Sequence, residues 1–111
     1  MKIFRFTILF CVICSNLFAN QVNLNSWWSV WNDPSQPDTT RLNAIQRFAE
    51  SGYLYSQPDS AFYFAQLQYD YADKKGLKKQ KASALSLLGE SSYYKGNLDI
   101  AVDYHKRSLV I

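Results

Sequence analysis

From Asp38 to Ile111 apolar residues recur at three- and four-residue intervals, interrupted only by short polar or glycine-bearing joints. In DTTRLNAIQRFAESGYLYS they fall at Leu42, Ile45, Phe48, Ala49 and Tyr53, one face of a helix. Pro37 precedes that segment, and Asp38 or Thr39 is expected to cap it. QPDSAFYFAQLQYDYADKKG opens with Pro58 in a first-turn position and Asp59 near the positive helix end, and closes at Gly76. LKKQKASALSLLGESSYYKG predicts a third helix ending at Gly96, and NLDIAVDYHKRSLVI a fourth with Asn97 as N-cap. The joints are a few residues each, which makes neighbouring helices antiparallel hairpins. The expected class is all-α, with four main helices and no strand.

Ahead of these lies NSWWSVWNDPSQPD. Trp27, Trp28 and Trp31 share a face if Ser26 caps a short helix, and Pro34 and Pro37 then predict an extended linker. Three tryptophans can line a ligand cage. The favoured reading is that they cover the open end of the first hairpin.

The first twenty residues, MKIFRFTILFCVICSNLFAN, follow a different pattern. Lys2 and Arg5 precede a short apolar core from Phe6 to Cys14, and Asn16 to Ala19 is placed for cleavage. This order predicts a secretory signal peptide over residues 1–19, an exported protein, and a periplasmic or cell-envelope location in a bacterium. An uncleaved anchor is the alternative. Cleavage changes the chemistry. Both cysteines, Cys11 and Cys14, leave with the signal, which excludes a disulfide scaffold, a thiol nucleophile and a Cys-ligated metal. Removing Lys2 and Arg5 also leaves ten basic against nine acidic residues, so a nucleic-acid surface is not implied. The remaining basic cluster, Lys74, Lys75, Lys78, Lys79 and Lys81 around Gly76, reads as a solvated turn with helix-end charge rather than a docking patch.

Shifting the chain by forty residues pairs Ala44 with Ala84, Glu50 with Glu90, Ser51 with Ser91, Tyr53 with Tyr93, Asp59 with Asp99 and Ala61 with Ala101. Near-matches fall between: Ile45 with Leu85, Phe48 with Leu88, Ala49 with Gly89 and Phe64 with Tyr104. The second unit, with Leu85, Leu88-Gly89, Gly96, Leu98 and Ala101 at its defining positions, resembles the tetratricopeptide repeat family. The likeness covers about one repeat, from Ala82 to Ile111. The first unit matches more weakly, with Ala49 in place of the glycine. The period of forty exceeds the usual thirty-four or so. His105 and Ser92 stand where the family carries aromatic residues, with Tyr104 and Tyr93 beside them.

The resemblance implies stacked antiparallel hairpins, an α-solenoid of about two repeats that forms part of a longer array. It divides the chain into a signal peptide (1–19), a Trp-rich cap and linker (20–37), a degenerate repeat (38–76) and a second repeat (77–111). It also implies a concave groove lined by Asn43, Arg47, Glu50 and Leu54 and by Ser83, Leu87, Glu90 and Tyr94. Ser86 and Glu90 stand where a clamp for a peptide carboxylate needs donors, so a C-terminal peptide ligand is not expected. The "PDSA" opening and the long helices are most similar to the exported repeat regions of bacterial signalling proteins linked to class III nucleotide cyclases, less to those linked to histidine kinases. That likeness implies a sensor segment with an output domain beyond residue 111.

No catalytic, cofactor or metal site is expected. His105, the single histidine, shares a helix face with Ala101 and Leu109 and reads as a packed imidazole. Without cysteine or a second histidine there is no metal-ligand spacing. Gly52, Gly76, Gly89 and Gly96 are too scattered to form a phosphate loop. Asp99 and Asp103 read as solvent-facing carboxylates. The expected role is a protein-interaction module, taking a protein or peptide partner or a second copy of itself. Leu98, Ala101, Val102, His105, Leu109, Val110 and Ile111 are expected to form an apolar face with no helix over it.

Overall fold

The computed structural model describes residues 23–111; the expected signal peptide and its expected cleavage site lie outside the described residues. Five helices follow one another: α1 over residues 23–31, α2 (Asp38–Gly52), α3 (Pro58–Lys75), α4 (Lys78–Tyr94) and α5 (Leu98–Leu109). There is no strand among the described residues. The four main helices match the expected segments. None of the described helices is long and apolar enough to cross a membrane.

Side-chain pairs fix the helix directions. Across α2 and α3, Arg41 meets Tyr71, Gln46 meets Gln68 and Phe48 meets Phe64, so the numbers fall on one helix as they rise on the other. Across α3 and α4, Lys81 pairs with Asp73 at 2.8 Å, and Lys95, just past α4, with Asp59 at the start of α3 at 3.0 Å. Across α4 and α5, Ser108 Oγ donates to the Ala82 carbonyl at 2.8 Å and His105 lies on Gly89. Each helix is therefore antiparallel to the next, and α2 also touches α4.

The joints explain the reversals. α3 ends where Gly76 adopts a left-handed φ of 69°, which lets the Leu77 amide reach the Ala72 carbonyl at 2.9 Å. Gly96, at φ 87°, repeats the device after α4, with the Asn97 amide on the Ser92 carbonyl at 2.9 Å. The core lies between α2, α3 and α4. Ala49, Leu54, Ala61, Ala65, Leu85, Leu87 and Leu88 are buried together, with Tyr53, Phe62, Phe64, Tyr69 and Tyr104 packed around them. Small residues at Ala49, Ala61 and Ala65 let the helices approach, and the leucines of α4 fill the seam. Ser91 and Ser92, buried on α4, donate to the Leu87 and Leu88 carbonyls one turn back, both at 2.8 Å.

Three local expectations are corrected. Ser26 does not cap α1, because the helix is already running at residue 23. Pro37, not Asp38 or Thr39, is the N-cap of α2; the Asp38 carboxylate instead accepts from Tyr71 Oη across the hairpin. Asn97 does hold the N-cap position of α5, but without a side-chain cap bond. The segment between α1 and α2 is a folded turn rather than an extended linker. The Gln36 amide bonds the Asp33 carbonyl at 3.2 Å, and Asp33 Oδ1 accepts from the Ser35 amide at 3.0 Å and from Ser35 Oγ at 2.7 Å. These bonds hold the Asp33 carboxyl below its ordinary range, the Ser35 hydroxyl contributing most. An aspartate that captures the amide two residues on closes a turn around Pro34.

Candidate functional site

Two tryptophans of α1, Trp28 and Trp31, are engaged in packing. Trp28 lies 5.0 Å from Phe48 and 5.8 Å from Phe64, centroid to centroid. Trp31 meets Tyr71 edge-on at 5.4 Å. Arg41 fastens this corner. Its Nε donates to the Trp31 carbonyl and its Nη1 to Tyr71 Oη, both at 2.9 Å, and its guanidinium lies over both rings. The Tyr71 hydroxyl titrates above its ordinary range, first because it donates to Asp38. A cavity of about 410 Å³ remains beside Trp28, with Leu24, Phe48, Gly52, Tyr53 and Phe64 in its walls.

Of the eight residues expected to line a concave groove, two are buried and six are exposed or half-buried. Asn43 and Arg47 are exposed. Glu50 is half-buried and accepts from Gln46 Nε2 at 2.9 Å. Ser83 is half-buried, its hydroxyl turned back to the Lys79 carbonyl at 3.2 Å. Tyr94 is exposed and meets Tyr55 edge-on at 5.0 Å. Leu54 and Leu87 are corrected from groove to core: Leu87 lies on α4, which packs against α2, α3 and α5, and Leu54, in the turn after α2, joins the same buried cluster.

Of the repeat-defining residues, Leu85, Leu88, Gly89 and Ala101 are buried. Gly96 makes the turn. Leu98 is 59% exposed, since no helix covers the outer side of α5 among the described residues.

Gly89 has a clear physical reason. A Cβ there would lie 2.8 Å from His105 Nε2, inside any tolerable contact. The forty-residue equivalents of this pair are Ala49 and Ala65, both in the core. Where the first unit has two alanines the second has a glycine and a histidine, and the glycine leaves the room that the imidazole fills. The close approach of α4 to α5 is therefore specified by the pair rather than by either residue.

A larger, more apolar opening lies beside that pair. A groove of about 510 Å³ runs between the end of α4 and the start of α5, lined by Glu90, Tyr93, Tyr94, Leu98, Ala101, Val102 and His105. Val102 is 51% exposed, Tyr93 57% and Leu109, further along α5, 86%. Glu90 is the carboxylate of the groove. Burial raises its pKa above the ordinary 4.5, the charge of Glu50 adds to the rise, and His105 opposes it.

A polar chain leads inward from Glu50. Gln46 donates to Glu50 and accepts from Gln68 Nε2 at 2.9 Å, and Gln68, only 1% exposed, leaves its Oε1 without a protein partner. Sequence reasoning missed this chain and Arg41, because a Gln or Arg at a helical interval looks like solvated surface. It found most of the apolar face from spacing alone. Tyr93 was legible as the forty-residue partner of Tyr53, but not as a wall of the groove.

Against known proteins, no family model, no curated protein and no solved structure matches this chain.

Proposed function

We propose that the chain is an exported protein-interaction module of the tetratricopeptide-like kind, which binds protein through the apolar groove of α4 and α5. One observation carries this reading. Each residue lining the groove stands forty positions after a residue of the first unit, and five of the seven counterparts, Tyr53, Leu54, Ala61, Phe62 and Ala65, belong to the core around Leu85, Leu87 and Leu88 of α4. The same positions that form a helix-binding surface in the first unit are open in the second. Helix spacing, the two glycine turns and the contact of α2 with α4 support the repeat reading. The charge and apolar order of residues 1–19 supports export.

Exposed apolar side chains at a contiguous site favour association over solvation. The test places a photoreactive amino acid at position 102, and at position 70 as an exposed control on α3, in the organism's own envelope. Protein adducts at 102 and none at 70 are the expected result. The absence of adducts at 102 would remove the reading.

A further inference from the structure

We propose that the occupant of the α4–α5 groove is a second copy of this chain, bound through an antiparallel, two-fold pairing of α5 with α5. This rests on the interaction-module reading and names its partner.

Leu98, Val102, His105 and Leu109 follow one another at intervals of four, three and four, the seam of a helix that packs along another helix. Ala101 and Ser108 do not belong to this seam. Ala101 is buried and Ser108 is bonded to α4, so that side of α5 is already committed; His105, half-buried against Gly89 but also lining the groove, stands at the edge between that side and the seam. The opposite flank of the seam carries Asp99 and Lys106, both exposed.

The charges select the orientation. The first turn of α5 holds Asp99 and the last turn holds Lys106 and Arg107. In an antiparallel pair centred between Val102 and His105, Leu98 faces the partner's Leu109 and Val102 faces the partner's His105. Asp99 then lies beside the partner's Lys106, and the two-fold axis makes the same pair twice. A parallel pair would put this flank of the two copies on opposite sides of the seam, and the Asp99–Lys106 pairs would be lost.

The groove fits the same geometry. It opens at the N-terminal end of α5, beside Tyr93, Tyr94 and Leu98. The antiparallel axis brings the partner's Leu109, 86% exposed in the single chain, to that end. Each chain would fill the other's groove with the most exposed apolar residue of its α5 seam.

Sedimentation equilibrium of the protein and of two charge reversals, Asp99→Lys and Lys106→Glu, tests the pairing. The unaltered chain is expected to dimerise reversibly, and each reversal to weaken the dimer about tenfold, because it replaces two attractive pairs by two repulsive ones. An equimolar mixture of the two variants is expected to recover the lost affinity as a heterodimer, since each chain then meets the opposite charge at both contacts. The mixture contains the same weakened chains, so recovery cannot be assigned to a change in folding. Val102→Asp, at an exposed position, is expected to abolish the dimer while circular dichroism stays helical. A chain that remains monomeric at millimolar concentration overturns the proposal, as does a dimer indifferent to both reversals. Photo-crosslinking at position 102 separates the two readings: an adduct to a different protein, with none to itself, sinks the second-copy assignment and leaves the interaction module standing, whereas no protein adduct at all sinks both.

Discussion

Gly89 and His105 are best understood as one unit of volume shared by two helices. Glycine inside a helix costs about 0.5–1 kcal/mol relative to alanine, yet a Cβ at Gly89 would press on the imidazole at 2.8 Å. Gly89→Ala is therefore expected to destabilise by about 1–3 kcal/mol despite the better helix propensity. His105→Ala removes the obstructing ring, and the double variant reproduces the Ala49 and Ala65 arrangement of the first unit. The two changes should couple favourably by about 0.5–3 kcal/mol in a denaturant cycle; strictly additive effects would show that the contact carries no weight. Glu90, in the same groove, gives a pH signature. Its folded pKa is raised above the unfolded 4.5, so the fold favours the protonated acid. The penalty is absent below the unfolded value, grows as pH rises from the unfolded value to the folded one, and is complete above the folded one. Glu90→Gln should stabilise the chain at pH 7 by no more than about 1 kcal/mol, because the carboxylate is only half-buried and screened. That gain should vanish below pH 4.5, and a gain of equal size at pH 3 would rule out charge as its source.

At the level of the element, the four main helices were legible because apolar spacing recurs in each segment and turn glycines close two of them. Gly76 and Gly96 mark both tight reversals, and the core leucines Leu42, Leu85 and Leu88 were visible as apolar helix positions. The α1–α2 joint was not legible. Two prolines suggest extension, but the Asp33 carboxylate captures Ser35 and closes a turn instead. The groove residues were legible only in part for a similar reason. Periodicity says which residues share a face of one helix, but not how much of α4 its three neighbours cover, so Leu87 fell to the core, as did Leu54 from the turn after α2. Arg41 shows what spacing cannot reveal: it joins three elements through the Trp31 carbonyl and the Tyr71 hydroxyl. Charge-assisted bonds of this kind contribute about 1.5–3 kcal/mol. Arg41→Ala should loosen α1 from the α2–α3 hairpin, seen as a red shift of tryptophan emission at a stability loss of that order. Arg41→Lys should recover little, since an ammonium cannot span both acceptors as the planar fork does. An unshifted emission spectrum in Arg41→Ala would mean that the Trp28 stack alone holds α1.

Across the whole molecule, burial is distributed unevenly, and stability should follow it. α4 is enclosed by three helices and buries Ala84, Leu85, Leu87, Leu88, Gly89, Ser91 and Ser92; α5 leans on α4 alone among its larger contacts and buries only Ala101. A helix of twelve residues is too short to persist in water without packing. α5 is held by the His105–Gly89 contact, the Ser108 bond to Ala82 and the Phe62–Tyr104 pair at 6.0 Å, and the first two of these sit at separate points along α4. Opening of α5 should therefore be a local event of lower free energy than global unfolding, whereas α4 can exchange only when the molecule unfolds. Native-state hydrogen exchange at low protein concentration should show α4 amides protected to the global limit and α5 amides exchanging far sooner. Raising the concentration should then slow α5 selectively, because self-association removes its outer face from water while α4 is already at its ceiling. Equal protection of α5 and α4 in the dilute protein would mean that the helix draws its stability from the hairpin itself, and that its exposed apolar seam contributes nothing that a partner need supply.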